Sequence, residues 1–139
     1  TFHVLRAGFD YLRKPGANII NISAPQSEVA MPFQAHVCAA KAGVDMLTST
    51  TAQEWGPMGG RVNGVIPGPI DGTEGMARLA PTDEIRKKVE TSVPLGRMGD
   101  VSDVADVCLF LASDAARYVS GVTMAADGGW LAAGARVPM

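Results

Sequence analysis

The feature that most constrains this 139-residue chain is a pair of short, continuous apolar runs, each leading into a turn. Asn18 to Ser23 (Asn-Ile-Ile-Asn-Ile-Ser) and Arg61 to Ile66 (Arg-Val-Asn-Gly-Val-Ile) are rich in β-branched residues. They read as strands buried on both faces, the pattern of a parallel sheet. Parallel neighbours need a long crossover, usually a helix. One is present: His36 to Trp55 reads as a long helix, Ala-rich at its start and carrying Val44, Met46 and Leu47. A third run, Gly121 to Ala125, ends in Asp127-Gly128-Gly129.

The intervening segments fit the same scheme. Phe2, Leu5, Phe9 and Leu12 recur at helical spacing, with Arg6, Asp10, Arg13 and Lys14 between them, and Pro15-Gly16 stops that helix. A loop holding Pro25 and Pro32 precedes the crossover helix, and Gly56 to Gly60 forms a turn. Two short helices are predicted around Gly75–Ala80 and Thr82–Thr91, then an extended Pro94-Leu95-Gly96-Arg97. Asp100 to Ala112 reads as an amphipathic helix with Val101, Val104, Val107, Cys108 and Leu111 on its apolar side. The order α-β-α-β-(α)-α-β predicts an α/β fold, half of a doubly wound parallel sheet. Three strands make a poor free-standing sheet of this type. Thr1 to Arg6 reads as the middle of a helix, with no Met, so the chain is expected to be part of a longer one. In such sheets ligands bind beyond the C-terminal strand ends, here Ser23-Ala24 and Pro67-Gly68-Pro69-Ile70.

Composition narrows the function classes. At 47% hydrophobic and 19% charged the chain reads as an ordinary globular protein. A formal net charge of −2 provides no basic field for nucleic acid or an anionic membrane. No apolar run approaches the ~18 residues of a membrane span. Cys38 and Cys108 stand outside any CxxC and without a His cluster, so reduced, packed thiols are expected rather than a metal site or a disulfide framework. Arg136 to Met139 carries no recognisable targeting signal. A cytoplasmic or organellar-matrix location is expected.

Several strings, taken together, give the chain an identity at the level of family. They are Asn21-Ile22-Ser23 closing a strand, Ala39-Ala40-Lys41-Ala42-Gly43-Val44 on the next helix, and Arg61-Val62-Asn63 leading to Pro67-Gly68-Pro69-Ile70. Pro94-Leu95-Gly96-Arg97-Met98-Gly99, Val119-Ser120-Gly121 and Asp127-Gly128-Gly129 follow. Their order and spacing resemble the C-terminal half of the short-chain dehydrogenase/reductase family, a Rossmann-like domain. The resemblance implies a nicotinamide-dependent oxidoreductase whose phosphate-binding half is not in residues 1–139. No GxGxxG-type loop is present, so adenine binding is assigned to no residue of this chain.

The usual family mechanism requires a Ser, a Tyr and a Lys. Lys41 is kept, but the Tyr position four residues earlier holds Val37, and the Ser position thirteen before that holds Ala24. Neither can deliver a proton to a developing alkoxide. Reduction of a conjugated carbon–carbon double bond is more compatible, because charge then gathers on a thioester enolate and the proton goes to carbon. The loop Pro67-Gly68-Pro69-Ile70-Asp71-Gly72-Thr73-Glu74-Gly75, with Arg78 beyond it and His36 five residues before Lys41, is similar to the 2,4-dienoyl-CoA reductases of peroxisomal type. The mitochondrial type has a Tyr fifteen residues before the Lys, where this chain has Gln26. The proton-handling acid of the peroxisomal type is expected upstream of Thr1.

By this resemblance, Lys41 is the catalytic residue retained and contacts the nicotinamide ribose. Ser23 and the loop Pro67, Gly68, Pro69, Ile70, Asp71, Gly72 and Thr73 bind cofactor, with the Ile70 N–H toward the carboxamide and Thr73 toward the pyrophosphate. Arg78 contacts coenzyme A phosphates. The implied cofactor is NADP(H), with NAD(H) left open, and the substrate an acyl-CoA thioester. A homotetramer is implied through the helices at 2–14 and 36–55, and a peroxisomal matrix in a eukaryote. Two alternatives stay open: a carbonyl or alcohol oxidoreductase with a rearranged acid such as His36, and a non-catalytic member with a binding role.

Overall fold

A computed structural model describes residues 1–133, so the reading of Arg136–Met139 lies outside the described residues. Three strands, β1 (Asn18–Ile22), β2 (Arg61–Pro67) and β3 (Thr123–Ala126), form a parallel sheet in the order β1-β2-β3. Helix α1 (Phe2–Leu12) precedes β1 and α2 (Ala35–Trp55) crosses from β1 to β2. Helices α3 (Glu74–Leu79), α4 (Asp83–Ser92) and α5 (Val101–Ala112) lie between β2 and β3. The architecture is the α/β half-domain predicted.

The central strand is the best buried. Val62, Val65 and Ile66 have no exposed surface, and burying each contributes roughly 1.5–3 kcal/mol. On one face Val62 packs with Leu5, Ala52 and Trp55, joined by Phe9, Leu12 and Ile19. Trp55 is therefore a core residue. On the other, Val65 packs with Leu111 and Ala116, joined by Val104, Val107 and Cys108. Cys38 and Cys108 are both free thiols, and burial pushes the Cys108 thiol up.

Two predicted segments differ. Pro94–Arg97 is a turn rather than extended chain: the Gly96 N–H donates to the Val93 carbonyl at 2.8 Å, and Gly96 takes φ 73°, a conformation glycine adopts without strain. Val101 is 68% exposed although its spacing places it with the apolar side of α5. It stands at the first turn and borders the cavity at the strand ends rather than the packed core. The start of α5 is fixed by a capping box, in which the Asp100 carboxylate accepts from Ser102 and Asp103 N–H groups and Asp103 returns the bond to the Asp100 N–H.

Polar groups inside the sheet fix how the elements meet. Asn63 is fully buried; its Nδ2 donates to the Val119 carbonyl at 2.9 Å and its Oδ1 accepts from the Val122 N–H at 3.3 Å. Arg61 donates to the Leu111 carbonyl at 2.7 Å, and Asn21 donates to the Thr48 hydroxyl on α2 at 2.9 Å. Asn63→Ala removes both bonds, leaving the Val119 carbonyl only the longer one from Arg61 at 3.4 Å, at a cost of about 0.5–1.5 kcal/mol for each bond lost. The urea midpoint of the variant is expected to fall with an unchanged slope; an unchanged midpoint would show that Asn63 does not hold this junction.

Candidate active site

The site is built where β1 and β2 end. β2 runs through Pro67 into Gly68, whose N–H donates to the Ala126 carbonyl of β3 at 3.0 Å. A Cβ on Gly68 would lie 2.6 Å from the Asp127 Cα, so only glycine lets the two backbones touch. Asp127 holds its own turn by accepting from the Gly129 and Leu131 N–H groups.

Beyond Gly68 the chain is clamped from the other side. Ile70 forms a parallel bridge with Gly99: the Asp71 N–H donates to the Gly99 carbonyl at 2.8 Å, and the Gly99 N–H donates to the Pro69 carbonyl at 2.9 Å. Both bonds use neighbours of Ile70, which leaves its own N–H turned off Gly99. Gly99 is placed by a two-pronged pair, Arg97 donating to the two Asp103 carboxylate oxygens at 2.7 and 3.0 Å. The guanidinium, helped by the Asp100 N–H, holds the Asp103 carboxyl at about 2, below its ordinary 3.8. Asp71 is held below its usual range by Arg86, which donates to it at 2.7 Å, and by the Gly72 N–H. Thr73 caps α3: its hydroxyl donates to the Ile70 carbonyl at 2.8 Å and accepts from the Met76 N–H at 3.3 Å.

These strand ends and α3 and α4 enclose a cavity of about 710 Å³. Its walls are mostly apolar, with Ala24, Met31, Met76, Leu79, Val104 and Trp130 among them, and no charged side chain lines it among the described residues. Three polar side chains stand on one wall. Ser23 is 3% exposed and its Oγ has no partner among the described residues. Gln26 donates from Nε2 to Gln34 Oε1 at 2.8 Å, while its own Oε1 is buried without a partner.

Ser23, Pro67, Gly68, Pro69, Ile70 and Thr73 thus come together on the cavity wall as their positions predict, and Gln26 joins them. Asp71 and Gly72 are set back, in the ion pair with Arg86. Lys41 stands beside the cavity, its Nζ 3.0 Å from the Ile22 carbonyl and 3.5 Å from that of Ser23. Arg78 does not line the cavity; it is exposed on α3 and paired with Glu74 one turn away. His36 is exposed and does not line the cavity either. Sequence reasoning missed Gln34, Met31 and Trp130. Gln34 was findable, since it lies three residues before Val37 and so on the same side of α2.

Two outcomes follow from this geometry. Gly68→Ala is expected to lower stability by roughly 1–3 kcal/mol, because backbone rather than a flexible side chain opposes the new methyl; thermal unfolding reads it. The Asp103 carboxylate, depressed from 3.8 to about 2, contributes stability present above its unfolded value and lost as pH falls through its folded value. NMR titration should find Asp103 ionising near 2 and, in Arg97→Gln, moving back toward 3.8; an unmoved value in the variant would contradict the clamp.

The sequence profile described as enoyl-(acyl carrier protein) reductase matches residues 1–131. The chain is 44% identical over 149 aligned residues to a peroxisomal 2,4-dienoyl-CoA reductase [(3E)-enoyl-CoA-producing] of Arabidopsis thaliana, covering 99% of this chain and 50% of that protein. It is 42% identical to a probable 2,4-dienoyl-CoA reductase [(2E)-enoyl-CoA-producing] of Bacillus subtilis (strain 168), covering 81% and 45%. Among solved structures, a putative 2-deoxy-D-gluconate 3-dehydrogenase from Agrobacterium tumefaciens with bound NADP superimposes with a TM-score of 0.86 at 34% identity, covering 94% of this chain and 54% of that one. The chain spans about half the length of the curated relatives it matches. The sequence match, the parallel sheet and the clamped loop at its strand ends agree: this chain belongs to the short-chain dehydrogenase/reductase family.

Proposed function

We propose that this chain forms the substrate- and nicotinamide-facing half of an NADP(H)-dependent oxidoreductase that reduces 2,4-dienoyl-CoA thioesters. The observation that carries the reading is the apolar cavity at the strand ends, with no charged side chain among the described residues of its wall and with Val37 and Ala24 where a carbonyl reductase needs hydroxyl groups. An aliphatic dienoyl chain suits such walls. A ketone reaction lacks a proton donor at those positions.

The residues present fit a nicotinamide. Lys41 Nζ sits at the end of β1 beside a buried, unpartnered Ser23 Oγ, and the Ile70 N–H is turned off Gly99. In this reading Lys41 binds ribose hydroxyls, Ile70 binds the carboxamide, and the Pro67–Thr73 loop holds the flat ring against the cavity. The Thr73 hydroxyl, already used at both ends, would reach a phosphate only by exchanging one of those bonds. The reduced nicotinamide, when bound, supplies a hydride. Charge on the substrate then spreads to the thioester oxygen, and carbon takes the proton. Arg78, exposed beside Met76 and Leu79 of α3, would exchange Glu74 for a coenzyme A phosphate.

The remaining phosphate-binding half is proposed to continue the sheet at the free edge of β1. The helices at 2–14 and 36–55, with Tyr11 77% and Met46 67% exposed, are proposed to face a second copy across a two-fold axis. The peroxisomal names of several relatives favour that compartment in a eukaryotic host. No helix among the described residues is long and apolar enough to cross a membrane.

The full-length protein is expected to consume NADPH, read by its absorbance, when given a 2,4-dienoyl-CoA. Lys41→Met should weaken NADPH binding about 10- to 100-fold, the range of a lost charged hydrogen bond. No turnover of dienoyl-CoA, combined with good turnover of ketones, would sink the reading.

A further inference from the structure

The cavity's polar wall has a spare hydrogen-bonding capacity that nothing above uses. Of the side-chain donors lining it, Thr73 donates to Ile70, Trp130 donates to Ser92, and Ser92 donates to Val89. Gln26 spends its amide nitrogen on Gln34. That bond fixes which way the Gln34 amide faces: its oxygen is taken, and its Nε2 makes no hydrogen bond among the described residues. Gln34 is the N-cap residue of α2, yet its side chain makes no capping bond. Its backbone carbonyl anchors the helix instead, accepting from the Val37 and Cys38 N–H groups. The residue before it, Phe33, takes φ 64°, a left-handed conformation costly for a bulky side chain and typical of sites where position matters.

We propose that the Gln34 amide N–H groups bind the carbonyl oxygen of the acyl thioester, with Gln26 as the positioning residue that orients them. Gln34 lies three residues before Val37, at the start of α2, and lines the cavity, so it offers a donor on the cavity wall itself. An amide is neutral and gives up no proton at ordinary pH. It can hold charge developing on the thioester oxygen without protonating it, as the enolate route requires and a carbonyl reduction does not. The buried Gln26 Oε1 and Ser23 Oγ, both unpartnered among the described residues, mark the same wall as built to meet polar atoms from outside the chain. This subsite rests on the dienoyl-CoA reading for its ligand.

Calorimetry on the full-length protein with NADP+ present tests it without turnover. The ligands are a 2,4-dienoyl-CoA and the matching dienyl thioether, which carries CH2 in place of C=O. The native protein should prefer the thioester by about 5- to 10-fold, the range of one net hydrogen bond. Gln34→Met should bind the two within about twofold of each other. Gln34→Glu, a near-isostere that keeps the helix start, should lose the preference too, and Gln26→Leu should reduce it with Gln34 intact. A preference kept in both Gln34 variants, or absent from the native protein, overturns the proposal. A native protein that shows the preference but never oxidises NADPH with dienoyl-CoA keeps the subsite and removes the proposed reaction.

Discussion

The structure depends on the burial of β2. Its side chains reach both faces of the sheet, so α1 and α2 on one side and α5 on the other are placed by packing against a single strand. Because β2 is central and parallel to both neighbours, its C-terminal end is also where three backbones converge. Gly68 lies against Asp127 there, and the Ile70–Gly99 bridge ties the outgoing chain to the start of α5. The rigidity of the loop is inherited from the core beneath it. A loop held so closely can present backbone N–H groups at fixed positions, which side chains on a mobile loop could not do.

The environment the loop borders decides what chemistry is reasonable. A cavity of about 710 Å³ with no charged side chain among the described residues of its wall disfavours separated charge and favours an apolar chain with few polar atoms. Val37 and Ala24 remove the hydroxyl donors from the strand end and the helix start. What the described residues leave there is two amides, a serine and the Lys41 ammonium. An amide can lower the energy of a delocalised oxyanion but does not complete an alkoxide by proton transfer. In the proposed reaction, conjugation in the substrate lets the proton land on carbon, which answers the lack of hydroxyl donors at Val37 and Ala24.

Much of this was legible in the sequence because it rests on local signals. The continuous apolar runs marked the strands, the Pro-Gly-Pro string marked the loop, and the distances from Lys41 back to Val37 and Ala24 exposed the missing hydroxyls. The turn at Pro94–Arg97 was misread because its proline suggested extended chain while Gly96 supplied a left-handed residue. Val101 was assigned to the apolar side on periodicity alone, yet it borders the cavity at the strand ends rather than the core. Arg78 and Asp71 carried the right chemistry but the structure gives them to Glu74 and Arg86. Gln34 was missed although its spacing from Val37 was visible, because its importance comes from a side-chain bond to Gln26, a pairing across a loop that sequence does not mark.

The proposed reaction puts the proton on carbon, because Val37 and Ala24 offer no acid where a carbonyl oxygen would need one. The most direct measurement runs the full-length protein with NADPH and a 2,4-dienoyl-CoA in D2O and locates deuterium in the product by NMR. The account predicts an enoyl-CoA carrying solvent-derived deuterium on the carbon beside the thioester. A product with a new hydroxyl group and no carbon-bound deuterium would contradict it.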